Sequence, residues 1–190
     1  MSVSLAHDPR HPFYRLTTVE HYGNVVGGVR RRIEFINVPM DVRKQYAVAM
    51  LDTDRPCWFA CSVRWHYYPK FGSLDCGQFD YGLLGLDSSN PIKMSKRERM
   101  DYGALMMDDA HSMVLVGYDR AADSGDIVRW KVENSWGDKR GNKGYMMMTD
   151  EWFEQFVVQV VVQKDMLSRK IVSVLDTKPI VLPRWDPFGQ

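Results

Sequence analysis

Strict alternation along the segment VRWKVE, residues 128–133, most constrains how this chain can fold. Apolar side chains at every second position, separated by charged ones, predict a strand with one face buried. The next position on the buried face holds an amide, Asn134, and Trp136 follows in the same phase. A buried polar side chain needs a hydrogen-bonding partner. We therefore expect the neighbouring strand to present one close to Asn134.

The preceding segment supplies such a partner. Residues 110–119, AHSMVLVGYD, are apolar on both faces and predict a fully buried strand. The polar, glycine-containing stretch 119–126 predicts a turn, and strands joined in this way pair antiparallel. A turn centred near 122–123 places His111 opposite Asn134, to within a residue or two, and cross-strand Cβ atoms lie about 5 Å apart.

A histidine beside an amide has two interpretations. In the first, the amide oxygen accepts from one ring nitrogen and fixes the ring, so that the other nitrogen can take a proton from a nucleophile. Trp136 would then shield the hydrogen bond between His111 and Asn134 from water. In the second, the two side chains are a satisfied buried polar pair and Trp136 is an ordinary core residue. Spacing alone leaves both open.

The rest of the pattern predicts an α+β fold. About five strands separated by short helices, without regular crossover helices, favour a barrel-like antiparallel sheet. We expect a single partial domain in which residues 1–38 are an irregular lead-in, 39–165 a sheet-rich core, and 166–190 a helix and an extended C-terminal tail. The predicted strands are 56–64, 110–119, 126–134, 144–148 and 157–165, the predicted helices are 41–52, 149–156, 166–176 and a short one after the capping box SKRE at 95–98, and 65–93 is predicted to be a loop.

Composition narrows the class of protein. The chain has 190 residues, 45% of them hydrophobic, and a formal net charge of +1, which indicates a globular protein not built mainly to hold nucleic acid. Neither a membrane span nor a secretory leader is predicted. Three cysteines, an odd and low number, fit reduced thiols and a cytoplasmic location. Cys57 and Cys61 lie about 13 Å apart along a strand, too far for a disulfide or a zinc clip, and no metal or cofactor is predicted.

Several motifs resemble one family. ENSWG at 133–137 with GNKGY at 141–145 resembles the asparagine segment of papain-like cysteine peptidases, and DDAHSMVLVGYD at 108–119 resembles their histidine strand. Four further segments are similar to the C-terminal half of the bleomycin hydrolase and aminopeptidase C type within that family. They read PRHPFYRLTTVEHYGNVVGG, RPCWFACSV, KGYMMMTDEWFEQFVVQVVV and PIVLPRWDPFG.

The resemblance implies the β-rich half of a papain-like peptidase and a role for each candidate residue. His111 would be the general base paired with a thiolate, and Asn134 would orient its ring. Trp136 would shield that contact and line the leaving-group side, while Ala110 would lie against the substrate backbone. A peptide substrate and a homo-hexamer of the full-length protein are also implied.

The family's nucleophile has no counterpart before His111. It lies in a Gln-x-Gly-x-Cys-Trp-type segment at the start of a long helix, whereas Cys57 follows LDTDRP and lies in a predicted strand. We therefore reject Cys57 as the nucleophile and expect the thiol-bearing helical half to be missing, so that the chain alone is inactive. A truncated protein, a separate subunit and a non-catalytic paralogue acting as a binding or regulatory subunit all remain open.

Two further features bear on specificity and partners. In relatives the C-terminal tail enters the cleft, but here the chain stops at Gln190, directly after WDPFG, which leaves the blocking role of the tail open. The charge runs RRR at 30–32 and DKRGNK at 138–143 raise nucleic-acid binding as a function. Because such runs are more typical of solvated loops in a chain of near-neutral charge, nucleic acid is not an expected partner.

Overall fold

The computed structural model describes residues 1–26, 29–63, 66–77, 95–101, 110–186 and 188. Within these residues, eleven strands form one sheet, and four short α-helices and two 3₁₀ turns lie between the strands in sequence. The strands are β1 Ser2–Ala6, β2 Arg15–Val26, β3 Val29–Asn37, β4 Cys57–Ser62, β5 Tyr67–Tyr68, β6 Ser73–Leu74, β7 Ala110–Arg120, β8 Ile127–Glu133, β9 Tyr145–Thr149, β10 Val157–Gln163 and β11 Ile180–Leu182. The helices are α1 Met40–Leu51, α2 Lys96–Asp101, α3 Asp150–Phe156 and α4 Arg169–Val172, and the 3₁₀ turns are Lys164–Met166 and Ser173–Asp176.

The strand order is β11-β2-β3-β1-β10-β4-β7-β8-β9-β6-β5. From β1 through β10, β4, β7 and β8 to β9, every neighbouring pair is antiparallel. Parallel pairing joins β1 to β3, β11 to β2 and β6 to β9. The predicted α+β class, a sheet with short helices, is confirmed.

The prediction of an irregular lead-in at residues 1–38 is wrong. The prolines that suggested it are confined to the connection between β1 and β2, and the flanking residues form β1, β2 and β3. Alternation is missing because consecutive residues are buried on both faces of the sheet, as with Thr17 and Thr18 on β2 and Phe35 and Ile36 on β3. A strand covered on both sides has no period of two.

Three smaller predictions also differ from the structure. β7 is half-buried rather than fully buried, since Met113 and Leu115 are buried while Ala110 and Ser112 are exposed. The predicted loop at 65–93 contains β5 and β6, and its residues 78–94 lie outside the described part of the chain. The C-terminal tail, predicted to be extended, also joins the sheet, because β11 pairs in parallel with β2.

The main core lies on one face of the sheet, beneath α1 and α3. On β7 the alternate residues Met113 and Leu115 enter this core beside Phe59 of β4. Full burial of side chains of this size contributes about 1.5–3 kcal/mol each. His111 shares the face of Met113 because residues two apart in a strand point the same way. The fold therefore places His111 at the edge of the main core.

A second, smaller core covers the opposite face of the sheet. It joins Phe35 of β3, Val158 of β10 and Leu182 of β11 to Phe188, whose ring stacks on that of Phe35 at 4.7 Å. This cluster holds the C-terminal segment against the sheet. None of the helices in the described ranges is both long and apolar enough to cross a membrane.

Candidate active site

The β7–β8 hairpin brings His111 and Asn134 together. Val114 lies opposite Glu133, so the register differs by two residues from the one that the turn predicted. Because alternate residues of a strand share a face, a two-residue shift keeps His111 and Asn134 on the same side of the sheet. His111 and Asn134 are diagonal neighbours across the two strands rather than directly opposed. The histidine side chain is long enough to span this diagonal separation.

The contact between the two side chains is a hydrogen bond. His111 Nε2 lies 3.0 Å from Asn134 Oδ1. The same oxygen accepts from the backbone N–H of Ser135 at 2.8 Å, and Asn134 Nδ2 donates to Tyr67 Oη at 3.0 Å. A backbone N–H can only donate, so the atom that faces His111 must be the amide oxygen. His111 therefore donates from Nε2.

This orientation fixes the chemistry of the ring. A neutral imidazole that donates from Nε2 carries its free lone pair on Nδ1. Among the residues that the structure describes, none is hydrogen-bonded to Nδ1 of His111. His111 as a whole is partly exposed. A positioned base with one nitrogen held and the other open is suited to proton transfer.

Aromatic rings enclose one side of this hydrogen bond. The indole of Trp136 lies 4.7 Å from the His111 ring, between centroids, and the Tyr67 ring meets Trp136 edge-on at 5.6 Å. Trp136 keeps 43% of its surface exposed, so it covers the contact only partly. Burial raises the pKa of Tyr67 to about 12, and the phenol stays protonated at neutral pH. The arrangement limits access of water to the amide.

Sequence reasoning missed Tyr67. It lies in β5, inside a stretch with no clean period that was predicted to be a loop. Its position depends on β5 pairing with β6 and on β6 pairing in parallel with β9. The first of these pairings is local, but the second joins Ser73 to Met147, and no local pattern encodes it. The adjacent aromatic and glycine residues were the only signal in this segment.

Ala110, the fourth predicted site residue, begins β7 opposite Ser62 and is exposed. With His111 and Ser112 it lines a groove of about 290 Å³ that extends toward Trp58 and Phe188. Because neighbouring residues of a strand point to opposite faces, Ala110 and Ser112 border this groove on the face opposite the His111 ring. The groove crosses the face on which the C-terminal segment is held.

The cysteines of β4 lie in surroundings that disfavour the thiolate. All three cysteines of the chain are buried free thiols. Burial raises the pKa of Cys57 to about 12 and raises that of Cys61 well above its usual range. Since the thiolate is the reactive form, burial keeps both thiols in the less reactive, protonated form near neutral pH. Cys61 Sγ contacts the backbone oxygen of His111 at 3.5 Å, not the ring.

Metal ligation has no support in the part of the chain that the structure describes. Those residues contain no group of three or more His, Cys, Asp or Glu side chains arranged to hold an ion.

Known proteins resemble the whole of this chain. The family described as the Peptidase C1-like family matches residues 1–189. Bleomycin hydrolase of Gallus gallus is 40% identical over 98% of this chain and 40% of its own length. Aminopeptidase C of Lactococcus lactis subsp. cremoris is 40% identical over 94% of this chain and 39% of its own length.

A solved structure is also similar to this chain in fold. PepW from Lactobacillus rhamnosis superposes with a TM-score of 0.89 at 37% identity, covering 100% of this chain and 42% of that one. This chain thus spans roughly 40% of the length of the curated relatives that it matches.

Proposed function

We propose that this chain, a member of the Peptidase C1-like family, supplies the general base and the orienting amide for thiol-dependent peptide hydrolysis. The 3.0 Å contact between His111 Nε2 and Asn134 Oδ1 is the observation that carries the proposal. It leaves Nδ1 as the only ring nitrogen able to exchange a proton with a nucleophile. The names of the relatives, bleomycin hydrolase and aminopeptidase C, point to an aminopeptidase acting on peptides.

His111 transfers one proton in each half of the proposed reaction. The thiol of the nucleophile transfers its proton to Nδ1, and the resulting thiolate attacks the peptide carbonyl. The imidazolium then protonates the leaving amine, the C–N bond breaks, and an acyl-thioester remains. His111 next takes a second proton from water, whose oxygen attacks the thioester carbon. The C–S bond breaks, the acid is released, and the proton returns from His111 to the sulfur. Asn134 holds the ring throughout, Trp136 shields that hydrogen bond, and Ala110 contacts the substrate backbone.

We infer that the nucleophile comes from outside this chain. Cys57, Cys61 and Cys76 are all buried, so we expect a partner half that carries the cysteine on a helix terminus, where the thiol pKa is lowered. In the full-length protein we retain the homo-hexamer as a further inference from the family. Three buried free thiols are compatible with a reducing compartment, and we therefore place the protein in the cytoplasm.

A chimera tests the proposal. The C-terminal part of Lactococcus lactis aminopeptidase C that aligns with this chain would be replaced by the 190 residues. We expect thiol-dependent hydrolysis of aminoacyl fluorogenic substrates, and a loss of about 10³-fold or more in kcat/KM on His111→Ala. A folded chimera that assembles but has no activity would favour the alternative, a non-catalytic paralogue that acts as a binding or regulatory subunit.

The isolated chain provides the complementary test. Incubated with the same substrates and a thiol-trapping epoxide, it should show neither turnover nor rapid labelling, because its described thiols near His111 are protonated. Fast labelling at Cys57 would contradict this assignment. Cys57→Ser is the matched variant that identifies the labelled site.

A further inference from the structure

Beside Trp136 lies a pocket that the catalytic residues do not use. It has a volume of about 370 Å³ and is lined by Tyr67, Lys70, Phe71, Lys139 and Arg140, together with Tyr68 and Pro69. We refer to these residues as the basic pocket. We propose that the basic pocket binds a carboxylate of the substrate on the C-terminal side of the scissile bond, which makes the peptidase selective for acidic residues there. This inference rests on the proposed function of His111.

The basic pocket is continuous with the His111 site. Tyr67 belongs to both, because its hydroxyl accepts from Asn134 and its ring lines the pocket. The Arg140 guanidinium lies over the Trp136 ring, 5.8 Å from its centroid, and Trp136 in turn packs on His111. A peptide whose leaving amine takes its proton from His111 would thus extend past Trp136 into the pocket.

Backbone hydrogen bonds join the two segments that form the pocket, residues 67–72 and 139–147. Gly141 N–H donates to the carbonyl of Pro69 at 2.8 Å, and Met147 N–H donates to that of Gly72 at 2.8 Å. Gly141 has φ +61°, and a Cβ there would lie 2.4 Å from the Tyr145 carbonyl oxygen. Such close backbone contact requires glycine. The backbone positions of the two segments that carry these side chains are therefore set before any ligand binds, which reduces the entropy lost on binding.

The cations of the pocket have no carboxylate partner among the residues that the structure describes. No carboxylate of those residues lies within ion-pairing distance of Lys70, Lys139 or Arg140, whereas the exposed Arg129 is paired with Asp119. Lys70 lies over the Phe71 ring at 5.9 Å, so aromatic surface adjoins the cations. A carboxylate on a short aliphatic stem matches this combination of positive charge and apolar wall.

Size and position favour a peptide carboxylate over nucleic acid. A volume of about 370 Å³ accommodates one or two side chains, not a run of nucleotides. The formal net charge of the whole chain is only +1, whereas a nucleic-acid surface usually carries a large excess of cations. Under this proposal, the basic run DKRGNK at 138–143, which has no role in the proposed catalysis, would bind the substrate carboxylate through Lys139 and Arg140.

Binding of peptides with blocked, uncharged termini tests the pocket without requiring catalysis. The ¹⁵N-labelled 190-residue chain would be titrated with acetyl-Ala-Glu-Ala-amide, with the Gln analogue and with the Lys analogue. We expect the Glu peptide to bind about 3- to 10-fold more tightly than the Gln peptide at low salt, with shifts at the amides of Gly72 and Gly141, and this preference to shrink as salt is added.

Matched variants locate the effect. The double substitution Lys139→Gln/Arg140→Gln should abolish the preference, and Lys139→Glu/Arg140→Glu should transfer it to the Lys peptide. Lys178→Gln, an exposed lysine outside the pocket, should leave it unchanged. His111→Ala should also retain it, so a failure of the proposed catalytic role would not remove this signal.

Two results would overturn the inference. One is equal affinity for the Glu and Gln peptides in the unsubstituted chain. The other is tighter binding of single-stranded oligothymidylate that is lost in the same double variant, which would assign the pocket to phosphates instead.

Discussion

Arg43 and His111 are polar side chains at the main core that differ in how completely they are enclosed. Arg43 of α1 is fully buried and donates to the backbone carbonyls of Val157 and Val158 at 2.8 and 3.0 Å. A third bond, to Phe153 O, measures 3.4 Å. His111 is partly exposed, and one of its two nitrogens is held by Asn134.

A second cation joins Arg43 at the same place. Lys96 Nζ donates to Glu154 O at 3.0 Å and to Val157 O at 2.7 Å. These carbonyls lie at the C-terminal end of α3 and at the start of β10, where a helix leaves carbonyls unpaired and its dipole favours positive charge. Enclosed donors directed at backbone carbonyls hold elements together, whereas the open nitrogen of His111 is available for chemistry. The enclosed polar side chain is thus suited to a structural role, and the partly exposed one to the proton transfer proposed above.

The largest effect on stability should follow from removing Arg43. Arg43→Met keeps most of the volume but leaves the carbonyls of Val158 and Phe153 without this donor, so we expect a loss of about 2–4 kcal/mol in the free energy of unfolding by urea. Arg129→Gln is the control, because Arg129 pairs with Asp119 on the surface and should change stability by about 0.5 kcal/mol or less. Equal effects of the two substitutions would show that the enclosed cation has no structural role.

A smaller, pH-dependent effect should come from His7, which lies near both cations. Burial first, then the charges of Lys96 and Arg43, lower the pKa of His7 to about 4. Its Nδ1 lies 3.0 Å from the carbonyl oxygen of Val38. Between pH 6.5 and about 4 the unfolded chain therefore binds a proton that the folded chain does not, and stability falls as the pH is lowered through this range.

His7→Gln isolates that contribution from the titration of carboxylates over the same range. The wild-type protein should lose about 1–3 kcal/mol more than His7→Gln between pH 7 and pH 4.5, measured by urea unfolding at several pH values. Parallel pH profiles of the two proteins would mean that His7 is protonated as readily in the folded state as in the unfolded one.

The contacts that could be predicted from the sequence are those between residues close together in the chain. The meeting of His111 and Asn134 was within reach because a single turn joins their strands. The capping box was predicted for the same reason and is confirmed, since Ser95 N–H donates to Glu98 at 2.7 Å and Glu98 N–H to Ser95 Oγ at 3.2 Å. Neither inference depends on distant parts of the chain.

The features that sequence reasoning missed depend on distant partners. β1 pairs with β10, at the other end of the chain, so residues 1–38 give no local sign of their strands. The hydroxyl that fixes Asn134 comes from Tyr67, and the carbonyls that hold Arg43 come from β10. Periodicity reports on one strand or helix at a time, and it cannot indicate which distant group will satisfy a buried donor.

The smallest effect on stability, and the most informative about chemistry, is expected from Asn134→Ala. Because the amide is half-buried and its partners retain access to water, the free energy of unfolding should fall by about 1 kcal/mol or less. The ring of His111 would lose the acceptor that fixes its tautomer. In the ¹⁵N spectrum of the imidazole, the proton should then be shared between Nδ1 and Nε2 instead of residing on Nε2.

The catalytic consequence can be measured in the chimera described above. There, kcat should fall about 10- to 100-fold on Asn134→Ala, with a changed pH profile and little change in KM. Tyr67→Phe is the matched variant, because it removes only the hydroxyl behind the amide and should have a smaller effect of the same kind. If Asn134→Ala instead reduced stability as much as Arg43→Met and left the tautomer unchanged, the amide would be a structural group like those around Arg43, and the distinction between the enclosed and the open polar side chain would fail.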